Sequence, residues 1–138
     1  MAVRTYTICR AEPEGAPAGQ RHSVTQVSLG LDDAGYFQLV DGSYYSDWGD
    51  RRQDSSTYKG KYTESGGEIR CKSESVLKIS FTSDHEMGTR ELDEKVEPAN
   101  EVFVFKRLDA ESVECSVDFA GFKGGIMDTK TVPAGNQY

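Results

Sequence analysis

Between Tyr36 and Lys78 the chain repeats one pattern: short runs alternate polar and apolar residues, and glycine-containing turns separate them. A period of two places one side of each run on a core and the other in water, which is a strand pattern rather than a helical one. Residues 36–40 put Phe37 and Leu39 on one side, and Asp41-Gly42 follows as a turn signal. Residues 57–62 put Tyr58, Gly60 and Tyr62 on one side, where a glycine between two tyrosines marks a close backbone approach or a sharp bend. Ser65-Gly66-Gly67 reads as a tight turn into Glu68–Lys72, with Ile69 and Cys71 inward. Residues 76–81 set Leu77, Ile79 and Phe81 against Val76, Lys78 and Ser80.

The rest of the chain extends this pattern. Residues 2–10 alternate without a purely apolar side, as expected of an edge strand. Residues 11–23 hold Pro13 and Pro17, show no period and read as a long loop. Val27, Leu29 and Leu31 share one side of the next strand, and Asp32 to Gly35 turn it into Tyr36. A short charged strand is expected within 89–96, a strong one over 101–108 and its return over 112–117. From Phe119 onward glycine and apolar residues mix without a period; Phe119, Phe122, Ile126 and Met127 read as a plug for one end, followed by a loose tail from residue 128. The sum is about eight or nine short strands and an all-β domain, an antiparallel up-and-down barrel or, with the same alternation, a β-sandwich.

A chain of 138 residues fits a single domain, 1–138. Its net charge is −7, but residues 84–101 hold seven acidic groups against Arg90 and Lys95, so the negative field is local. No Lys/Arg stripe exists to neutralise phosphates, which argues against nucleic acid and against anionic membranes as partners. Cys9, Cys71 and Cys115 are widely spread, lack metal-ligand spacing and read as reduced core thiols. With no apolar signal core at the start and no long apolar run, a cytoplasmic chain is expected.

The run from Val27 to Phe37, the run from Ser56 to Arg70 and Leu77–Phe81 together resemble small lipocalin-like (calycin) barrel proteins over about residues 24–108. The elements that carry the resemblance are Asp33, Gly35, Tyr36, Gly60, Tyr62, Gly66 and Gly67. The sole tryptophan, Trp48, follows the third expected strand, whereas lipocalins carry an early Gly-x-Trp. The resemblance implies an up-and-down barrel with a ligand cavity.

Residues 43–56, SYYSDWGDRRQDSS, break the alternation and read as an aromatic loop. Aromatic faces stack on flat ligands, and an arginine holds a carboxylate or phosphate with two bonds. Tyr44, Tyr45, Trp48, Arg51 and Arg52 are therefore candidates for a binding mouth, with Tyr58, Tyr62 and Phe103 as the wall. The plain alternative is a surface loop whose aromatics cover the barrel end while its charges pair locally. Asp84-His85-Glu86 could move a proton, but neighbours on a strand point to opposite sides, so the triplet reads as a solvated turn. Asp47, Asp50 and Asp54 lack the glycine and the final glutamate of a calcium loop. No catalytic residue, metal or cofactor is indicated. Three functions remain open: a barrel holding a small amphipathic or aromatic ligand, an interaction module whose acidic segment 84–101 and aromatic loop 44–52 meet a basic protein, and a metal-free isomerase or cyclase.

Overall fold

The computed structural model describes residues 3–12, 22–47 and 49–131, with the side chains of residues 12 and 22 left undescribed. Of the loop expected over 11–23, residues 11–12 and 22–23 are strand instead, and 13–21 lie outside the described residues, as do Trp48 and the tail beyond residue 131. Within them the chain forms β1 (Val3–Glu12), β2 (His22–Asp32), β3 (Tyr36–Asp47), β4 (Asp50–Ser65), β5 (Glu68–Ser83), β6 (Arg90–Pro98), β7 (Val102–Asp109), β8 (Ser112–Glu114) and β9 (Ile126–Asp128). No described helix is long and apolar enough to cross a membrane.

The strands run in the order β4-β3-β2-β1-β9-β8-β7-β5, and a β4–β5 pairing closes the ring into an eight-stranded antiparallel barrel. β6 lies outside this ring, hydrogen-bonded to β5. Tight turns set the register. Asp32 Oδ1 accepts the N–H groups of Ala34 and Tyr36, both at 2.9 Å, while Gly35 takes φ 92°. Gly66 and Gly67, at φ 62° and 79°, supply the two left-handed positions that a two-residue hairpin loop needs.

The core lies inside the ring. Leu29, Leu39, Ile69, Phe105, Val113 and Met127 are fully buried there, and Tyr6 packs among them. Arg107 ties one end of the barrel together: its guanidinium meets Glu64 at 2.8 Å and donates to the Tyr6 hydroxyl at 3.3 Å. Arg4 reaches the other oxygen of Glu64 at 3.2 Å, so β1, β4 and β7 are joined at this closed end.

Several sequence expectations change. Residues 43–56 are not a loop; β3 runs to Asp47 and β4 starts at Asp50. β1 is not an edge strand, since it pairs with β2 and, through Thr7, with β9. Residues 68–72 and 76–81 are halves of one strand, β5, and an irregularity lies between them: Gly60 pairs with Ser73 but Lys59 pairs with Ser75. The extra residue, Glu74, reverses the strand's faces. Ile69 and Cys71 point into the barrel, whereas Leu77, Ile79 and Phe81 lie on the opposite side of the sheet. Cys9 is exposed; only Cys71 and Cys115 are core thiols. Burial pushes the Cys71 thiol up to about 12. The plug is divided, with Phe122 and Met127 buried but Ile126 exposed, and Asp128 Oδ1 holds the start of the tail through Lys130 and Thr131.

The bulge also divides the architecture. Below it β5 pairs with β7, and above it with β6. Ser73 anchors the crossing segment: its hydroxyl accepts from Glu101 N–H at 2.8 Å, and its own N–H donates to the Glu101 carbonyl at 2.9 Å. Gly60 is needed opposite, because a Cβ there would sit 2.0 Å from the Lys72 carbonyl oxygen.

Candidate functional site

Above the bulge β1 to β6 continue past the closed ring as one sheet, so the inner face of the barrel opens there. Register arranges this face in rows. Leu39, Tyr58, Val76 and Glu97 form the lowest. Asp41, Ser56, Lys78 and Lys95 form the next, and Ser43, Asp54, Ser80 and Asp93 lie above them. Apolar side chains thus give way to charged ones within a single step along each strand. A cleft of about 400 Å³ opens over these charged rows, with Phe119 on its apolar side.

The charges in the cleft are not balanced. Lys78 and Lys95 stand directly opposite each other, and Glu97 bridges both, at 3.4 Å and 2.9 Å. Among the described ion pairs Asp41, Asp54 and Asp93 have no lysine or arginine partner. Asp41 is half-buried. Burial, and then the charge of Glu101, push its carboxyl from the usual 3.8 to about 6, against the pull of a hydrogen bond from the Ser56 backbone. The Tyr58 hydroxyl is pushed up as well, by burial first and then by Glu101 and Asp41. The inner face therefore holds a carboxyl that changes charge near neutral pH, beside a tyrosine and above an apolar floor.

The expected site residues separate into three groups. Tyr58 and Phe103 meet edge to face, with ring centroids 5.1 Å apart, at the base of the open end. Tyr62 also packs on the core, but its hydroxyl donates to the Asp32 carbonyl at 2.6 Å, at the β2–β3 turn. Tyr45 and Arg52 share the inner face at the strand tips, where Tyr45 donates to Asp47 Oδ2 at 3.2 Å. A second cleft, about 700 Å³, lies there and is lined by Tyr45, Arg51, Arg52 and Asp84 among others. Tyr44 and Arg51 sit on the outer side of the sheet, because adjacent strand residues face opposite ways. Trp48 lies outside the described residues.

Comparison with family models, with curated proteins and with solved structures finds no match to this chain. The site must therefore be read from its own chemistry. Among the described residues no group of three or more His, Cys, Asp or Glu is arranged to hold a metal ion. The Asp84-His85-Glu86 triplet forms a turn: the His85 N–H donates to Asp50 Oδ1 at 2.7 Å, and Asp84 Oδ1 accepts from Met87 N–H at 3.0 Å. Sequence reasoning missed Asp41, Asp54, Lys78 and Phe119 as site residues. The only signal for Asp41 and Asp54 was charge where the alternation called for an inward side chain, and without a register that signal does not converge on one site. Lys78 reads as outward until the bulge in β5 is known, and Phe119 had no signal beyond its apolar character.

Proposed function

We propose that the open end of the barrel binds a small amphipathic molecule whose polar end donates hydrogen bonds, an alkylamine being the simplest case. The observation that carries this reading is Asp41, a half-buried carboxyl lacking a cationic partner among the described ion pairs, lining a cleft of about 400 Å³. That volume lies within the range of small-molecule sites, which combine apolar walls with a few polar groups. Phe119 supplies apolar contact beside the cleft, with Tyr58 and Phe103 at its base. Glu97 occupies both lysines, so the remaining field favours a cation or a neutral donor over an anion.

Calorimetric titration with octylamine, octanol and octanoate at about pH 8 and about pH 5 tests this reading. Octylamine binds best at the higher pH, where Asp41 is ionised, and Asp41→Asn removes the preference for the amine. Equal affinity for all three probes, or a preference that Asp41→Asn leaves intact, rejects it.

A second reading rests on β6. Among the described residues it pairs on one edge alone, and Leu92 and Val96 are 47% and 71% exposed. An open strand edge can take up an extended segment of another protein, and the acidic stretch 84–101 would steer a basic one. Capture of such a partner falls steeply with added salt; salt-independent capture counts against this reading.

A further inference from the structure

The outer face of the same sheet carries a groove of about 730 Å³, on the side opposite the barrel core. Register explains its shape. One outer row runs Thr7, Ser28, Val40, Thr57 and Leu77, and the next runs Gln26, Gly42, Ser55 and Ile79. A third runs Thr5, Gly30, Gln38, Lys59 and Ser75. Gly42 and Ser55 leave the middle of the second row low between Gln26 and Ile79, and Ser28 and Gly30 keep β2 low in the other two, so the sheet surface is hollowed across β2, β3 and β4.

From β1 to β5 the first two rows contain no charged residue; the charges lining the groove are Lys59 in the third row, and Asp32 and Glu74 outside these rows. Polar groups are nonetheless concentrated here. Ser28 is buried and bonds Thr7 at 3.0 Å, and Gln53 Nε2 donates to Ser55 Oγ at 3.2 Å. Neutral hydroxyls and amides are thus fixed in position around apolar patches made by Val40 and Ile79. A peptide adding as a strand needs a free backbone edge, and the backbone of β2, β3 and β4 is already paired on both sides. A lipid chain needs a continuous apolar wall, which these rows lack. Any ligand in this groove must be read by hydroxyl and amide side chains, with carbon–hydrogen faces resting on the apolar residues.

We propose that this outer groove binds an uncharged oligosaccharide. Sugar hydroxyls match the Gln38, Ser55 and Thr57 side chains, and the neutral rows do not select a charged chain. The site is distinct from the cleft at the open end, and neither proposal depends on the other.

The test is titration of isotopically labelled protein with cellohexaose, maltohexaose and laminarihexaose, followed by amide chemical shifts. Chitosan and polygalacturonate oligomers of the same length serve as charged controls. The informative variant is Gly30→Phe. A Cβ at Gly30 has ordinary room, its nearest neighbours being Val3 Cγ1 at 3.7 Å and Gln38 O at 3.8 Å, so the ring would fill the groove without entering the core. At least one neutral hexaose shifts the amides of Gln38, Ser55 and Thr57, and Gly30→Phe abolishes the effect. Thr57→Ala weakens binding about fivefold, the worth of one hydrogen bond, and serves as the test if the larger substitution disturbs folding. The proposal is overturned if no hexaose binds at about 10 mM, if the charged oligomers bind as well, or if binding survives in folded Gly30→Phe. Shifts confined to Asp41, Ser80 and Phe119 would also overturn it.

Discussion

Asp41→Asn is expected to make the protein more stable while impairing its proposed site. The wild-type carboxyl is pushed from 3.8 to about 6, first by burial and then by Glu101, so folding penalises its ionised form. The penalty is absent below about pH 3.8, where the group is protonated both folded and unfolded. It grows as the pH rises to about 6, because the unfolded chain ionises first, and it is complete above that point. A shift of this size has an ideal worth of about 3 kcal/mol. Asp41 is only half-buried, and screening by water reduces this to about 1–2 kcal/mol. Asparagine keeps the size of the side chain and an oxygen to accept from the Ser56 backbone. At about pH 8 the variant should therefore melt about 3–8 °C higher than the wild type, and at about pH 4 the gap should largely close. Thermal unfolding followed by circular dichroism at both pH values, with denaturant titration for the free energies, measures this difference. A variant less stable than the wild type at the higher pH would refute the reasoning, as would the same gap at both. A polar group kept at a cost to stability is common where a site needs it.

Gly60→Ala should destabilise the fold by about 3 kcal/mol or more, since the added Cβ would lie 2.0 Å from the Lys72 carbonyl oxygen and the backbone must move; denaturant titration reads the loss. Glu64→Gln should cost about 1–2 kcal/mol at low ionic strength and less at high salt, because Glu64 bridges Arg4 and Arg107 while itself partly exposed. Iodoacetamide should label Cys9 quickly in the native protein, and Cys71 and Cys115 only on unfolding, as counted by mass spectrometry; burial raises the pKa of both core thiols.

The closed barrel was legible where one face of a strand is apolar and its turn demands particular residues. Asp32 to Gly35 and Gly66-Gly67 announce their hairpins because few residues meet the geometry. Leu29, Leu39, Ile69 and Cys71 announce the core by alternation. The upper sheet was hidden because its inner face is charged and its outer face carries small neutral polar groups, so no hydrophobic period marks residues 43–56 as strand. Asp41-Gly42 read as a turn, yet Gly42 lies mid-strand. A Cβ there would meet Ser55 Cβ at 3.1 Å and the Tyr44 hydroxyl at 3.2 Å. The bulge at Glu74 had no signature of its own, and it decides which side Leu77, Ile79 and Phe81 face. Tyr58 and Phe103 were named, with Tyr62, as wall residues because they alternate with core positions, and the structure brings these two together; Tyr44 and Tyr45 were read together although a strand must separate them.

The most direct test of the open-end site is a map of where an amphipathic amine binds. Octylamine titrated into isotopically labelled protein at about pH 8, followed by amide chemical shifts, should move Asp41, Ser56, Ser80 and Phe119 together. The same shifts should be lost in Asp41→Asn. No movement at these residues up to about millimolar amine, or movement confined to other surfaces, would contradict a binding site at the open end of the barrel.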